Sequence, residues 1–334
     1  MFRNTSPSRR QVLAGGAAAI GAGLIGAPAL AQAPKALKFA HEAPQTAIKG
    51  QTAIKFAELV AQHGNGALKV DVFPGAQLVP TTEEIRAAVR GQVDVIAPFT
   101  SYFASLDPVW DIFYEPLMLP SADAAMTAFG GDLGQRVLKT LDTRGMNGMA
   151  IWFDGPVYIF TNTEALTGPD SLKGKKIRVF PCQPLESWLK KVGAIPVSMP
   201  ATEVYLALQQ GALDGVVSTP TYAAPARWYE VLKSQTRVLM GFGGYGVAIG
   251  KRSWDGLSAE QKSIVERAMK DATVWNHEQA KSNLAASEKI LASNGMKLND
   301  PQPDLLAAWA REAEKVYEEQ NPQLRELIST FRKA

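Results

Sequence analysis

The residue with the clearest chemical potential is Arg178, an arginine inside an otherwise apolar strand. The flanking Ile177 and Val179 point to one face of that strand, so the guanidinium points to the other. A guanidinium offers a planar fork that binds a carboxylate through two parallel hydrogen bonds, which lysine cannot do. Ligands of open α/β sheets bind beyond the carboxyl ends of strands, and Arg178 lies late in its strand. The pattern indicates a carboxylate site; the alternative is a structural ion pair with Glu203 or Asp214.

Residue patterns typical of catalysis are sparse. The chain has three histidines, which fall in separate elements: His41, His63 and His277. The motifs C-x-x-C, H-E-x-x-H and G-x-S-x-G do not occur. Residues 241–246 satisfy G-x-G-x-x-G, but residues 247–249 continue as a strand where a dinucleotide site needs a helix. We therefore expect a binding protein without cofactor or metal.

Two runs of alternating strands and helices position these residues. The first run is predicted to contain strands at 37–40, 68–72 and 93–97, a helix at 47–63, and a helix from a Thr81–Glu84 capping box to Gly91. The second run, residues 157–217, contains Arg178. Because strands alternate with helices, we expect parallel strands with helices on both faces.

The remaining segments predict how the two runs are joined. An aromatic-rich stretch at 102–120 and a helix at 123–144 separate them. A very long or broken helix at 258–294 and amphipathic helices at 304–317 and 322–331 follow. The predicted fold class is α/β, with two α/β lobes joined by hinge strands and a long bracing helix. The first lobe is expected to comprise residues 32–154 and 244–283, and the second residues 155–243 and 284–334.

The first 31 residues are predicted to be an export signal. Ser8–Leu13 contains a twin-arginine core, an apolar run follows, and Ala29–Ala31 supplies the small residues before a cleavage site. The alternative is a membrane anchor, but five glycines and Pro28 make this run a poor spanning helix. The sequence thus predicts a periplasmic protein exported by a cleaved twin-arginine signal.

Net charge and cysteine content further limit the classes of function that the chain could have. Removal of the signal takes Arg3, Arg9 and Arg10 from the 35 basic residues and none of the 32 acidic ones, so the mature chain is balanced in charge. No basic footprint for nucleic acid remains, and a single cysteine excludes an internal disulfide. We expect a monomer or dimer that binds a small molecule. A periplasmic enzyme acting on a carboxylate is the alternative, because twin-arginine export usually carries prefolded proteins.

Several segments resemble the extracytoplasmic solute receptors of tripartite ATP-independent periplasmic (TRAP) transporters. The densest match is 172–215, and 74–78 and 254–258 match as well. The resemblance implies a periplasmic binding protein fold whose lobes close on ligand, without enzymatic activity. It also implies delivery of the bound carboxylate to separate membrane permease subunits. In the family, the arginine of the Lys-Ile-Arg element binds the substrate carboxylate, and that arginine falls on Arg178.

Three departures from the family pattern bear on the ligand. Tyr158 occupies or adjoins a position where members often carry a second arginine. Ser218 or Thr219 replaces the asparagine that follows Asp-Gly in many members, and Phe99–Ser101 replaces a glutamate found in some. Charges are thus replaced by hydroxyls and rings. We therefore predict a mono- or aromatic carboxylate in preference to a C4 dicarboxylate or a sialic acid-like polyol.

The complete predicted pocket surrounds Arg178 with hydroxyl and aromatic side chains: Ser218, Thr219, Tyr158, Trp152, Phe99, Phe180 and Tyr222. Three polar residues are expected to face it from the first lobe: Gln77, His41 and Glu42. For each aromatic residue taken alone, packing in the core is the alternative.

Overall fold

A computed structural model describes residues 35–331, so the predicted signal lies outside the described residues. The strands are β1 (Lys35–Ala40), β2 (Leu68–Phe73), β3 (Val95–Ile96), β4 (Met146–Pro156), β5 (Tyr158–Thr161), β6 (Lys176–Val179), β7 (Ile195–Ser198), β8 (Gly215–Ser218), β9 (Ser234–Thr236), β10 (Phe242–Gly250) and β11 (Lys297–Asn299). The helices are α1 (Ile48–His63), α2 (Glu84–Arg90), α3 (Ala122–Gly130), α4 (Asp132–Lys139), α5 (Gln183–Lys191), α6 (Ala201–Gln209), α7 (Pro220–Ala223), α8 (Lys251–Asp255), α9 (Ala259–Ser293), α10 (Pro303–Glu319) and α11 (Pro322–Phe331). None of these helices has both the length and the apolar character of a membrane span.

Two separate sheets form the cores of two lobes. The first sheet has the order β2-β1-β3-β10-β4 and defines lobe I; the second has the order β11-β9-β5-β8-β6-β7 and defines lobe II. Strand β1 is parallel to β2 and β3, and β6 is parallel to β7 and β8. The predicted α/β class with two lobes is confirmed.

Two adjacent strand segments connect the lobes. Strand β4 pairs with β10 in lobe I and runs through Val157 into β5 of lobe II. The N–H of Val157 donates to the Gly241 carbonyl (2.9 Å), and the N–H of Met240 donates to the Val157 carbonyl (2.9 Å). Gly241 has φ 126, and a Cβ there would lie 2.7 Å from the Phe113 carbonyl oxygen, so glycine fits this crossing. The predicted hinge strands are confirmed.

Helix α9 braces both lobes, as predicted. It is unbroken over 35 residues and begins with a capping box in which Ser258 and Gln261 bond reciprocally. In its middle, the Asn276 amide accepts from the Phe153 N–H (2.7 Å) of β4 and donates to the Phe153 carbonyl (3.1 Å). Nearer its end, Glu288 accepts from Arg237 of lobe II (3.1 Å). One rigid element is thereby fixed to both sheets.

Three local predictions were wrong. The capping box at Thr81–Glu84 does not form, because Thr81 is buried and the segment makes a short 3-10 helix at Thr81–Glu83. The single helix predicted over 123–144 is divided at Gly131, which is extended between α3 and α4. The strand predicted at 93–97 is reduced to β3. In each case tertiary contacts or a glycine override the local pattern.

Replacing Asn276 with alanine is expected to lower the free energy of unfolding by about 1–3 kcal/mol, because the buried N–H and C=O of Phe153 lose their side-chain partner. Urea unfolding measures this change. Ser282→Ala is the control, since this exposed serine on α9 donates to the Gln279 carbonyl of its own helix. If Asn276→Ala and Ser282→Ala unfold at the same urea concentration, the bonds between Asn276 and Phe153 do not stabilise the contact of α9 with lobe I.

Candidate functional site

A small cavity lies between the lobes, beside Arg178. Residues from both lobes and from the hinge line this Arg178 cavity: Glu42, Phe99, Tyr102, Asp154, Arg178, Phe180, Ala201, Ser218, Thr219 and Tyr222. Its volume is about 30 Å³, on the order of the volume of one water molecule. An organic acid therefore enters only when the lobes or the lining side chains move apart.

The cavity lies where strand ends from both sheets meet. Glu42 follows β1 and Phe99 follows β3 in lobe I, while Phe180 follows β6 and Ser218 ends β8 in lobe II. The carboxyl ends of parallel strands are the usual ligand-binding edge of an open α/β sheet. The cavity thus occupies the position that the fold favours for a ligand.

Arg178 is buried and pairs with no carboxylate of the described part of the chain. Its side chain is 2% exposed, and it donates from Nε to the Met199 carbonyl (3.0 Å) and from Nη1 to the Val217 carbonyl (3.4 Å). Among the described residues, no carboxylate pairs with it and no group accepts from Nη2. Burial lowers the pKa of Arg178, but a guanidinium remains protonated in proteins. The arrangement holds a desolvated positive charge with N–H donors available to an anion.

The structural ion pair considered as the alternative for Arg178 is not formed. Asp214 instead accepts a hydrogen bond from the Lys176 N–H (2.8 Å) and so secures the start of β6. Glu203 is exposed on α6. The guanidinium carbon of Arg178 lies 5.9 Å from the centre of the Phe180 ring, within the range of a cation–π contact.

Aromatic rings from opposite lobes touch at one wall of the cavity. Phe99 of lobe I meets Phe180 of lobe II edge to face, with ring centres 4.7 Å apart. Tyr114 contacts both rings, at 5.4 Å from Phe99 and 4.9 Å from Phe180. Such edge-to-face and offset contacts are favourable. Phe99 and Phe180 thus give the cavity an apolar wall, and Tyr114 packs against both rings.

The two predicted hydroxyl residues have different surroundings. Thr219 donates to Asp154 (2.6 Å), and Thr221 donates to the other oxygen of the same carboxylate (2.6 Å). Burial raises the pKa of Asp154, and the two hydroxyl donors oppose that rise. The hydroxyl of Ser218 bonds to none of the described residues. Of these two residues, Ser218 therefore keeps a free donor at the cavity, whereas Thr219 links lobe II to the hinge strand through Asp154.

A buried ion pair supports the lobe I side of the cavity. Lys49, 0% exposed, pairs with Glu42, and its Nζ lies 4.1 Å from the centre of the Tyr245 ring. Glu84 is also fully buried, and burial followed by the charge of Glu42 raises the pKa of Glu84. Lys49 was not predicted as a site residue from the sequence. A lysine in the first turn of α1 opposes the helix dipole, and that mismatch is the signal that marks it.

Two predicted aromatic residues do not line the cavity. Trp152 lies in the core of lobe I, 5.8 Å from the Phe39 ring, and donates to Thr273 of α9 (3.2 Å). Tyr158 is partly buried in β5, and burial followed by the charge of Glu288 raises its pKa to about 12. Strand alternation fixes these directions, because β4 directs Trp152 toward the bracing helix.

Two predicted polar residues also lie outside the lining. His41 is buried, and burial together with the charge of Lys49 lowers its pKa to about 3, so its ring is neutral. Gln77 is exposed on the loop after β2. The structure thus brings Arg178, Ser218, Thr219, Phe99, Phe180, Tyr222 and Glu42 together at the cavity.

Three lining residues were not anticipated: Tyr102, Asp154 and Ala201. Tyr102 also lines a larger cavity of about 860 Å³, the outer cleft, whose walls come from 81–111 of lobe I and from 181–186 and 319–324. The aromatic-rich stretch was the available signal for Tyr102. Within residues 35–331, no group of three or more His, Cys, Asp or Glu side chains is arranged so that it could bind a metal ion.

Comparison with known proteins identifies relatives of the whole molecule. The model of the bacterial extracellular solute-binding protein family 7 matches residues 39–323. The C4-dicarboxylate-binding periplasmic protein DctP of Rhodobacter capsulatus is 33% identical over 297 residues, covering 88% of this chain and 89% of that protein. The 2,3-diketo-L-gulonate-binding periplasmic protein of Escherichia coli is 27% identical over 277 residues, 83% of each. A TRAP periplasmic solute-binding protein of Shewanella oneidensis, crystallised with succinate, has a TM-score of 0.86 at 28% identity and covers 90% of this chain and 99% of that one.

Proposed function

The chain belongs to family 7 of the bacterial extracellular solute-binding proteins, and on that premise we propose that it captures a small organic acid in the Arg178 cavity. Members are receptors of TRAP transporters rather than enzymes. The observation that carries the proposal is the buried guanidinium of Arg178, which lines an interlobe cavity and has no carboxylate partner within residues 35–331. The captured acid would be delivered to the membrane permease subunits of the transporter.

We further propose that the acid has a single carboxylate, aliphatic or aromatic. Arg178 is the one cationic side chain among the described lining residues, whereas Glu42 and Asp154 are acidic. Lys49 is already paired with Glu42. A second carboxylate on the ligand would therefore find no second cation in the described lining and would be buried as an unpaired charge, which is costly. The rings of Phe99, Phe180 and Tyr222 instead favour an apolar remainder.

This preference would distinguish the chain from some of its relatives. The Rhodobacter capsulatus protein is named for C4-dicarboxylates, and the Shewanella oneidensis structure contains succinate. The Escherichia coli relative is named for 2,3-diketo-L-gulonate. The family therefore accommodates different acids. The preference for a monocarboxylate proposed here rests on the charges of the residues that line the cavity.

The remaining proposals concern organisation and export. We place lobe I at residues 32–154 and 244–283, and lobe II at residues 155–243 and 284–334. The contacts of α9 support a boundary between Asn276, which bonds to β4, and Glu288, which bonds to Arg237. We also propose periplasmic release after cleavage of the twin-arginine signal at 1–31.

A ligand screen tests the proposed function. The purified protein, unfolded in urea and refolded by dialysis to remove any co-purified acid, is heated with benzoate, pyruvate, L-lactate, succinate or L-malate. A ligand that binds only the native state raises the melting temperature. We expect larger shifts with the monocarboxylates at equal concentration. If succinate or L-malate gives the largest shift, the single-carboxylate preference is wrong while carboxylate capture stands; NMR of the recovered acid checks that no turnover occurs.

A further inference from the structure

Resting on the proposed function, we infer that Tyr102 is a ligand-binding residue of lobe I. Its hydroxyl donates a hydrogen bond to the carboxylate held by Arg178 of lobe II, and its ring closes the cavity over the bound acid. The ligand then joins the two lobes through one carboxylate group, with Arg178 on one side and Tyr102 on the other.

The backbone at Tyr102 is fixed by its turn. It lies in a 3-10 helix at Thr100–Ser105, where its N–H donates to the Phe99 carbonyl (3.0 Å) and its carbonyl accepts from the Ser105 hydroxyl (2.9 Å). The next residue, Phe103, is fully buried and stacks on Trp110 with ring centres 4.6 Å apart. The direction in which the Tyr102 side chain leaves the backbone is therefore set by the core of lobe I.

The hydroxyl of Tyr102 is buried and has no hydrogen-bond partner among the described residues. Burial raises the pKa of Tyr102, so the phenol keeps its proton and is a donor. A buried polar group without a partner costs about 1–3 kcal/mol, and such groups call for an explanation. A ligand carboxylate on Arg178 supplies the missing acceptor, because both side chains line the same cavity of about 30 Å³.

Tyr102 also separates two spaces. It lines both the Arg178 cavity and the outer cleft of about 860 Å³. The outer cleft has walls from both lobes, and Tyr102 is the residue that its lining shares with the lining of the Arg178 cavity. An acid that enters from the outer cleft is therefore expected to pass Tyr102 before it reaches Arg178.

The position of Tyr102 on lobe I gives its hydrogen bond a particular consequence. Tyr222 and Ser218 lie on lobe II with Arg178, so their contacts with a ligand do not depend on lobe closure. Tyr102 can reach the same carboxylate only when the lobes are together. A ligand stabilises the state to which it binds more tightly, so the Tyr102 hydrogen bond favours the closed form.

The test is Tyr102→Phe, which removes the hydroxyl and keeps the ring. Titration calorimetry with benzoate, pyruvate, L-lactate, succinate and L-malate is expected to show about tenfold weaker binding for each acid that binds the original protein. Stopped-flow measurements should place the loss in faster dissociation. The melting temperature without acid should stay the same or rise, because an unpartnered buried hydroxyl is removed. The control is Tyr205→Phe, which removes a phenol that is not among the residues lining the cavity and that donates to Glu230 (2.6 Å), and it should bind as before.

Three outcomes separate the two proposals. Unchanged affinity in Tyr102→Phe, with binding lost in Arg178→Ala, would overturn the role of Tyr102 and leave the proposed function in place. Retained binding in Arg178→Ala would overturn the proposed function itself. A melting temperature lowered in Tyr102→Phe without acid would assign the hydroxyl a structural role and overturn the inference.

Discussion

Replacing Arg178 with alanine is expected to weaken carboxylate binding by roughly 30- to several thousand-fold. The guanidinium is 2% exposed and lies at a cavity that excludes water. Removing one side of a desolvated charge pair costs on the order of 2–5 kcal/mol, which corresponds to that range of dissociation constants. Titration calorimetry with benzoate, pyruvate and succinate measures the loss, and circular dichroism checks that the fold remains.

Two further variants sharpen this prediction. Arg178→Lys keeps the charge but loses the planar fork, so it should also lose most of the affinity. Arg86→Ala is the matched control, because this exposed arginine lines the outer cleft and its ion pair is with Glu83 three residues before it. Binding of the three acids by Arg178→Ala with the original affinity would refute the carboxylate site.

The fold could be predicted because its signals are local. Residues 35–96 follow a β-α-β-α-β order that dictates parallel strands, and the observed pairings of β1 agree. Helix α9 carries its own capping signals at Ser258 and Gln261. The direction of the Arg178 side chain could be predicted for the same reason, since an arginine between two apolar strand residues must point away from them.

The composition of the cavity could not be predicted in full, because it depends on which strand ends meet. Tyr102, Asp154 and Arg178 are far apart in sequence and come together only when the lobes pack. Aromatic residues were equally ambiguous. Phe180 follows the end of β6 and reaches the cavity, whereas Trp152 lies within β4 and packs against Phe39 in the core. Residue type alone does not distinguish these two environments.

Lys49 shows a different limit of sequence reasoning. A lysine in an amphipathic helix is normally solvent-exposed, yet this one is 0% exposed and neutralises Glu42 at the edge of the cavity. Its weak signal, a basic residue in the first turn of a helix, is meaningful only once burial is known. The electrostatics of lobe I thus depend on a residue whose burial the sequence pattern did not reveal.

Replacing Lys49 with methionine is expected to lower the free energy of unfolding by about 3–5 kcal/mol, the usual cost of breaking a buried ion pair by removing one partner. Glu42 would remain buried without its cation, next to the fully buried Glu84. Urea unfolding at pH 8 measures the loss. Lys55→Met is the control on the same helix, because Lys55 is 35% exposed and lies 3.8 Å from the exposed Glu58, a pair of the kind that contributes little.

The double variant Lys49→Met with Glu42→Gln should recover part of this stability, since it removes the uncompensated charge together with its former partner.

The loss of unfolding free energy in Lys49→Met should also depend on pH. The charge of Lys49 lowers the pKa of Glu84 against the larger effect of burial, so its removal raises that pKa further. A carboxyl whose pKa is raised in the folded state makes the protein less stable as pH increases. The loss of unfolding free energy in Lys49→Met should therefore be larger at pH 8 than at pH 5. If Lys49→Met and Lys55→Met unfold at the same urea concentration at pH 8, the buried pair does not support lobe I.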